Sequence, residues 1–213
     1  MAHQNEHTKT DNLDRKRITH EDIIIYLCDS VKYVLSTATK ADIKYTPLVQ
    51  RITRTALTPD IGTFVMFTGS FSGMVIINFP KDTAMEIYRS YMTAMGMSES
   101  DLVQNYTSDE VSNSLGELMN QIVGHFTRTI SERLSSEITQ SQPKMLALPH
   151  ELQISVNLAL DNPRYSKVTF HTSSNKVFYL QLAMDDTDFT VVSELKEHSE
   201  MSPDEIMELY GIS

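Results

Sequence analysis

Between residues 108 and 134 the apolar side chains Val111, Leu115, Leu118, Ile122, Phe126 and Ile130 recur at intervals of three and four. At about 100° per residue they share one face of a helix, while Asn113, Glu117, Asn120, Gly124, Thr127 and Ser131 gather nearly opposite. The pattern predicts a long helix over 108–134 with its apolar stripe against a core. The same period runs through 19–37, where Ile24, Leu27, Cys28, Val31, Val34 and Leu35 follow Thr19, a cap residue with Asp22 three positions on. It returns over 82–95 with Ala84, Ile87, Tyr88, Tyr91 and Met92, closing at Gly96. A short helix near 99–104 leads into the long one.

Between the helices the pattern is that of strands. Extended segments near 50–57, 63–68 and 74–79 are punctuated by Thr58-Pro59-Asp60 and by the stretch from Gly69 to Gly73. After Pro143 the period falls to two, with segments near 153–160, 167–172 and 177–184 separated by Asp161-Asn162-Pro163 and Ser173-Ser174-Asn175. The prediction is an α+β fold, an antiparallel sheet packed with long helices. Helix, strands, helix, strands is a loose internal similarity without a short repeat. Residues 1–17 are polar and aperiodic and read as a disordered tail, 18–190 as the domain, and 191–213 as a C-terminal tail whose Ser202-Pro203-Asp204-Glu205 starts a short helix.

Composition narrows the function. With 213 residues, 40% of them hydrophobic, the chain has enough apolar surface for one core. A formal net charge of -10 argues against a nucleic-acid binder, and the basic run Arg15-Lys16-Arg17 reads as solvated tail. No apolar run approaches the roughly 18 residues that span a bilayer, and the N-terminus lacks an apolar signal segment, so no membrane partner and a cytoplasmic location are expected. The single cysteine, Cys28, lies on the apolar side of the first helix and excludes a disulfide framework or a paired-cysteine metal site. The histidines form no metal-ligand pattern; His3 and His7 are four apart in a tail without a helix signal, and His125 sits at the margin of the polar face. Phosphate-binding glycine loops and a serine-hydrolase elbow are missing. No cofactor of the chain's own is predicted.

That leaves the polar face of the 108–134 helix. Exposed helix faces are normally filled by Lys, Glu, Gln or Ala, yet this one carries Asn113, Asn120 and Gly124, with Gly116 close by. Those four residues cost about 3 kcal/mol in helix propensity relative to Ala, so contact rather than helix stability explains them. Glu110 and Asn113 repeat the spacing of Glu117 and Asn120, but Thr107-Ser108-Asp109-Glu110 reads as a capping box that occupies Glu110.

Glu117-Leu118-Met119-Asn120, set within the stretch from Ser114 to Gly124, resembles the Glu-x-x-Asn signature of the CheC/CheX family of chemotaxis phosphatases. The upstream stretch from Thr68 to Phe79, followed by a helix opening at Asp82, resembles that family's hairpin and following helix, and the likeness spans about residues 20–185. The resemblance implies hydrolysis of the aspartyl phosphate of a phosphorylated CheY-like response regulator. Asn120 would orient the water and Glu117 would pair with the regulator's lysine; the divalent metal would belong to the regulator. Asn113, Gly116, Gly124 and Thr127 would line the partner-binding surface, the glycines allowing close approach. Relatives of the CheC type carry a second such motif on the first helix, where this chain has Glu21-x-x-Ile24 and Asp29-x-x-Lys32, so one site, as in CheX, is expected. The resemblance and the exposed edges of an antiparallel sheet imply a homodimer. Two alternatives stand beside catalysis: a non-catalytic module of the same fold that binds a receiver domain or other signalling partner, and an adaptor that acts through its C-terminal helix.

Overall fold

The computed structural model describes residues 15–187 and 189–192. Helices α1 (His20–Thr39), α2 (Lys81–Ala94) and α3 (Asp109–Leu134) form where the apolar period predicts them. Thr19 caps α1 as part of a capping box, its amide donating to Asp22 Oδ2 at 2.8 Å and its hydroxyl accepting from the Asp22 amide at 3.4 Å. Helix α2 begins one residue before the expected Asp82, because the buried Asp60 carboxylate accepts the Lys81 amide at 2.7 Å. The predicted short helix over 99–104 is a single 3₁₀ turn, Glu99–Asp101.

The strands are β1 (Arg15–Ile18), β2 (Lys44–Tyr45), β3 (Gln50–Ile52), β4 (Thr55–Leu57), β5 (Ile61–Gly69) and β6 (Gly73–Phe79) in the first half. In the second half they are β7 (Ile138–Gln140), β8 (Lys144–Ala147), β9 (Ile154–Val156), β10 (Pro163–His171), β11 (Val177–Asp185) and β12 (Phe189–Val192). The main sheet has eight strands in the path β2-β10-β11-β6-β5-β7, with β3 also on β10 and β8 also on β5; β4 and β9 form a separate two-stranded sheet. The pairings of β10, β11, β6, β5, β7 and β8 are antiparallel. The α+β class follows directly.

Residues 18–189 form one unit, and residues 1–17 with 190–213 another. In the second unit the described segments belong to the β1–β12 ladder. Arg15, Lys16 and Arg17 are therefore strand where their polarity predicts a disordered tail: a ladder is made by main-chain groups and does not require apolar side chains. Residues 1–14, and the C-terminal helix predicted from Ser202, lie outside the described residues.

Within residues 18–189 the two halves repeat. Helix α1 followed by β2, β3, β4 and the β5–β6 hairpin matches α3 followed by β7, β8, β9 and the β10–β11 hairpin, with α2 inserted between them. The pairings exchange accordingly: β2 and β3 lie on β10, β7 and β8 lie on β5, β4 pairs β9, and β6 pairs β11. On the helices, buried His20, Ile23, Ile24, Leu27, Cys28, Val31, Leu35 and Thr39 correspond in turn to buried Leu115, Leu118, Met119, Ile122, Val123, Phe126, Ile130 and Leu134. The loose similarity of the sequence is thus a two-fold pseudo-repeat. Helices α1 and α3 run antiparallel, with the Arg133 guanidinium 4.7 Å over the Tyr26 ring and His125 Nδ1 2.9 Å from Ser30 Oγ.

Every residue of β6 is buried, because both of its faces are covered. On one face Leu57, Met74, Ile76 and Leu148 make a cluster with Phe64, Ile154, Val156 and Leu158, so β4 and β9 lie over the sheet. The backbone of β4 is tied down by buried amides: Gln181 Oε1 accepts the Ala56 amide at 2.9 Å, and Asn78 Nδ2 donates to the Ala56 carbonyl at 2.9 Å. On the other face Phe67 meets Phe126 of α3 edge-on at 5.8 Å, which anchors the long helix on the sheet.

Candidate functional site

The site is built on α3, whose core face is fixed by Val111, Leu115, Leu118, Ile122, Phe126, Ile130 and Leu134. Its N-cap differs from the sequence expectation. Ser108, not Thr107, is the cap, accepting the Val111 amide at 3.3 Å, while Thr107 bonds to Asn105. Glu110 takes no part in a box: its carboxylate accepts the phenol of Tyr88 on α2 at 3.0 Å. Burial, and then this bond, push the Tyr88 phenol above its ordinary pKa. The Glu110–Asn113 pair is thereby removed as a second acidic-amide motif, since Glu110 is committed to packing α3 against α2.

Fixing the core face turns Asn113 and Glu117 outward, both exposed, with Asn120 and Gly124 half-buried one and two turns on. Glu117 Oε1 accepts from Gln121 Nε2 at 3.1 Å, which holds the carboxylate along the helix surface. The amides of Asn113 and Asn120 have no side-chain partner among the described residues and are free to bond to something outside the chain. A Cβ added at Gly124 would meet nothing within 4 Å, so the backbone there is open to an approaching surface. Thr127 turns its hydroxyl back on the helix, donating to the Gly124 carbonyl at 3.0 Å. Gly116 is placed differently: a Cβ on it would lie 3.8 Å from Met145 Cγ, so it is turned toward β8 and the sheet.

One residue that sequence reasoning passed over belongs to this surface. Gln121 follows Asn120 directly, and its bond to Glu117 was open to detection as a pair four residues apart. His125 belongs instead to the α1–α3 contact, bonded to Ser30 and with its ring 4.7 Å from that of Tyr33.

The pseudo-repeat supplies a comparison within the molecule. Where α3 places Glu117 and Asn120, α1 places Asp22 and Ile25. Asp22 is spent on the Thr19 cap and Ile25 is an apolar side chain 42% exposed, so the equivalent face of α1 has neither a free carboxylate nor an amide. Among the described residues no group of three or more His, Cys, Asp or Glu is arranged to hold a metal, and no helix is long and apolar enough to cross a membrane. The Cys28 thiol is buried and pushed far above its ordinary pKa by burial, which makes it inert packing.

The fold is shared with solved structures. A chemotaxis protein CheX from Desulfovibrio desulfuricans superposes with a TM-score of 0.64 at 17% identity, covering 77% of this chain and 99% of that one. A CheC-like superfamily protein from Shewanella sp. PV-4 gives 0.61 at 17% identity over 79% and 99%. A structure of the CheX-CheY-BeF3-Mg2+ complex from Borrelia burgdorferi gives 0.59 at 15% identity over 78% and 99%. At these identities the likeness is one of fold, which is that of the CheC/CheX proteins. No curated protein sequence matches the chain. Residues 14–211 match the family described as a protein of unknown function (DUF3334), and the chain belongs to that family.

Proposed function

We propose that this chain is a CheX-like phosphatase that hydrolyses the aspartyl phosphate of a CheY-like response regulator. The observation that carries the reading is the pairing, on one open stretch of α3, of an exposed carboxylate at Glu117 with an unpartnered amide at Asn120. Support also comes from the shared fold and from the CheY that accompanies CheX in the Borrelia burgdorferi complex.

Aspartyl-phosphate hydrolysis asks for positioning more than for covalent help, because the transition state is loose. The Asn120 amide accepts from and donates to one water, which aligns it opposite the leaving carboxylate oxygen. The water oxygen bonds to phosphorus, the bond from phosphorus to the regulator's aspartate breaks, and inorganic phosphate leaves. Glu117 pairs with the lysine of the regulator's phosphorylation site, and Gln121 keeps its carboxylate from sampling other rotamers. The divalent ion that neutralises the phosphoryl oxygens is assigned to the regulator. Open backbone at Gly124 and the free amide of Asn113 complete the docking surface.

The test is decay of a phosphorylated cognate regulator. Asn120→Ala should slow it tenfold or more, as for loss of one positioned hydrogen bond of roughly 1.5 to 3 kcal/mol, while binding to the beryllofluoride-loaded regulator survives. Glu117→Lys should weaken that binding by placing like charge against the lysine. If wild type, Asn120→Ala and Glu117→Lys all leave the regulator decaying at its intrinsic rate, the catalytic reading fails; retained binding by wild type would then identify a receiver-binding module.

A further inference from the structure

A second feature, apart from α3, lies at the start of α1. Arg51 of β3 stands opposite Ser166 of β10, so the two side chains leave the same face of the sheet, and Arg164, two residues earlier, shares it. That face is the one covered by α1, because Ser166 Oγ lies 2.8 Å from His20 Nε2. Between them is a cavity of about 110 Å³ lined by these four residues and Glu21 among others. It is far below the few hundred Å³ of a drug-sized or nucleotide site, and it has room for one small ion.

The imidazole of His20 is 2% exposed, yet its Nδ1 has no hydrogen-bond partner among the described residues. Burial lowers its pKa, so the ring is neutral near pH 7 and one nitrogen carries the hydrogen. The Ser166 hydroxyl can donate to Nε2 or accept from it; in the tautomer that a bound oxyanion selects, the hydroxyl donates and the ring hydrogen is on Nδ1, a buried donor facing an acceptor. The charges agree. Arg164 Nη1 is already shared between Asp186 Oδ1 at 3.2 Å and Glu21 Oε1 at 3.6 Å, whereas Arg51 makes no ion pair among the described residues.

We propose that the cavity between Arg51, Ser166 and the first turn of α1 is a binding site for a single tetrahedral oxyanion, phosphate. Arg51 supplies the free cation and His20 Nδ1 a donor, and Arg164 contributes by exchanging the loosely held Glu21 carboxylate for the ion. The site is independent of the α3 face, and its occupancy ties β3, β10 and α1 together.

The experiment uses the full chain. Sodium phosphate is titrated calorimetrically at pH 7.5 against sodium chloride at matched ionic strength, and nitrogen-15 imidazole spectra of the wild-type protein are recorded alongside. A saturable heat specific to phosphate, a moved His20 Nδ1 signal, and at least about tenfold weaker binding by Arg51→Met are the expected results. Heats equal to those of chloride, or a His20 signal unmoved at saturating phosphate, overturn the assignment without recourse to a variant. So does an Arg51→Met protein that melts like wild type and binds phosphate equally well.

Discussion

Gly124 offers a sharp separation of stability from function. It lies in the interior of α3, where glycine costs about 0.5–1 kcal/mol relative to Ala through lost backbone entropy. Because a Cβ there meets nothing within 4 Å, Gly124→Ala carries no steric penalty and should stabilise the protein by about that amount. For a domain of this size the gain corresponds to a melting temperature higher by about 1–4 °C. Gly124→Leu fills the open space in front of the helix. It should leave the fold intact and weaken binding of the beryllofluoride-loaded regulator tenfold or more. Gly116→Ala is the control: its Cβ would make only ordinary contact with Met145 at 3.8 Å, so it should be tolerated and change binding less than Gly124→Leu. Calorimetric melting and regulator binding on the same preparations decide the matter. A Gly124→Ala protein that melts below wild type refutes the reading of an open helix face, and a Gly124→Leu protein that binds at wild-type strength places docking elsewhere.

Other perturbations test the architecture around the site. Asp60→Ala removes the acceptor of the Lys81 amide and should destabilise by about 1–2 kcal/mol in urea unfolding, with Asp60→Asn, which keeps an oxygen acceptor, costing less. Glu110→Ala leaves the buried Tyr88 phenol without its acceptor and should cost about 1–3 kcal/mol, most of which should vanish in a Tyr88→Phe background, as a double-mutant cycle will read. Burial holds the His20 imidazole below its ordinary 6.5, so the unfolded chain takes up a proton near that pH while the folded chain does not. Stability contributed by neutral His20 is therefore fully present above pH 6.5 and is lost as pH falls below it; urea midpoints between pH 7.5 and 5.5 should slope less in His20→Gln than in wild type.

Helices and long strands were legible because their signals are local and repeated. Over two dozen positions the apolar period of α3 leaves one way to bury its stripe, and the same holds on a smaller scale for α1 and α2. Strands β5, β6, β10 and β11 carry enough apolar residues to announce themselves, though β5 runs from Ile61 to Gly69 rather than over 63–68. The short strands β2, β7 and β8 have no such signal. Their residues are largely exposed, and they are strand only because β10 and β5 offer them unpaired main-chain groups. For the same reason the extended segment over 50–57 splits into β3 and β4, which join different sheets.

The sequence by itself determined the α+β class and an open polar face bearing Asn113, Glu117, Asn120 and Gly124, since 3.6-residue geometry places those side chains opposite a core stripe wherever the helix is docked. What surrounds that face was decided by the tertiary structure. A capping-box signature assigned Glu110 to the helix start, but the box is worth little more than one exposed hydrogen bond, and a buried phenol from α2 with no other acceptor among the described residues outcompetes it. Spacing treated Gly116 and Gly124 alike; only the position of β8 separates a glycine turned toward Met145 from one left open. The setting of His20 against Ser166, with one ring nitrogen left unpartnered among the described residues, also arises from pairing residues far apart in the chain. Local periodicity fixes which face a residue takes on its own element, and only long-range packing decides what that face meets.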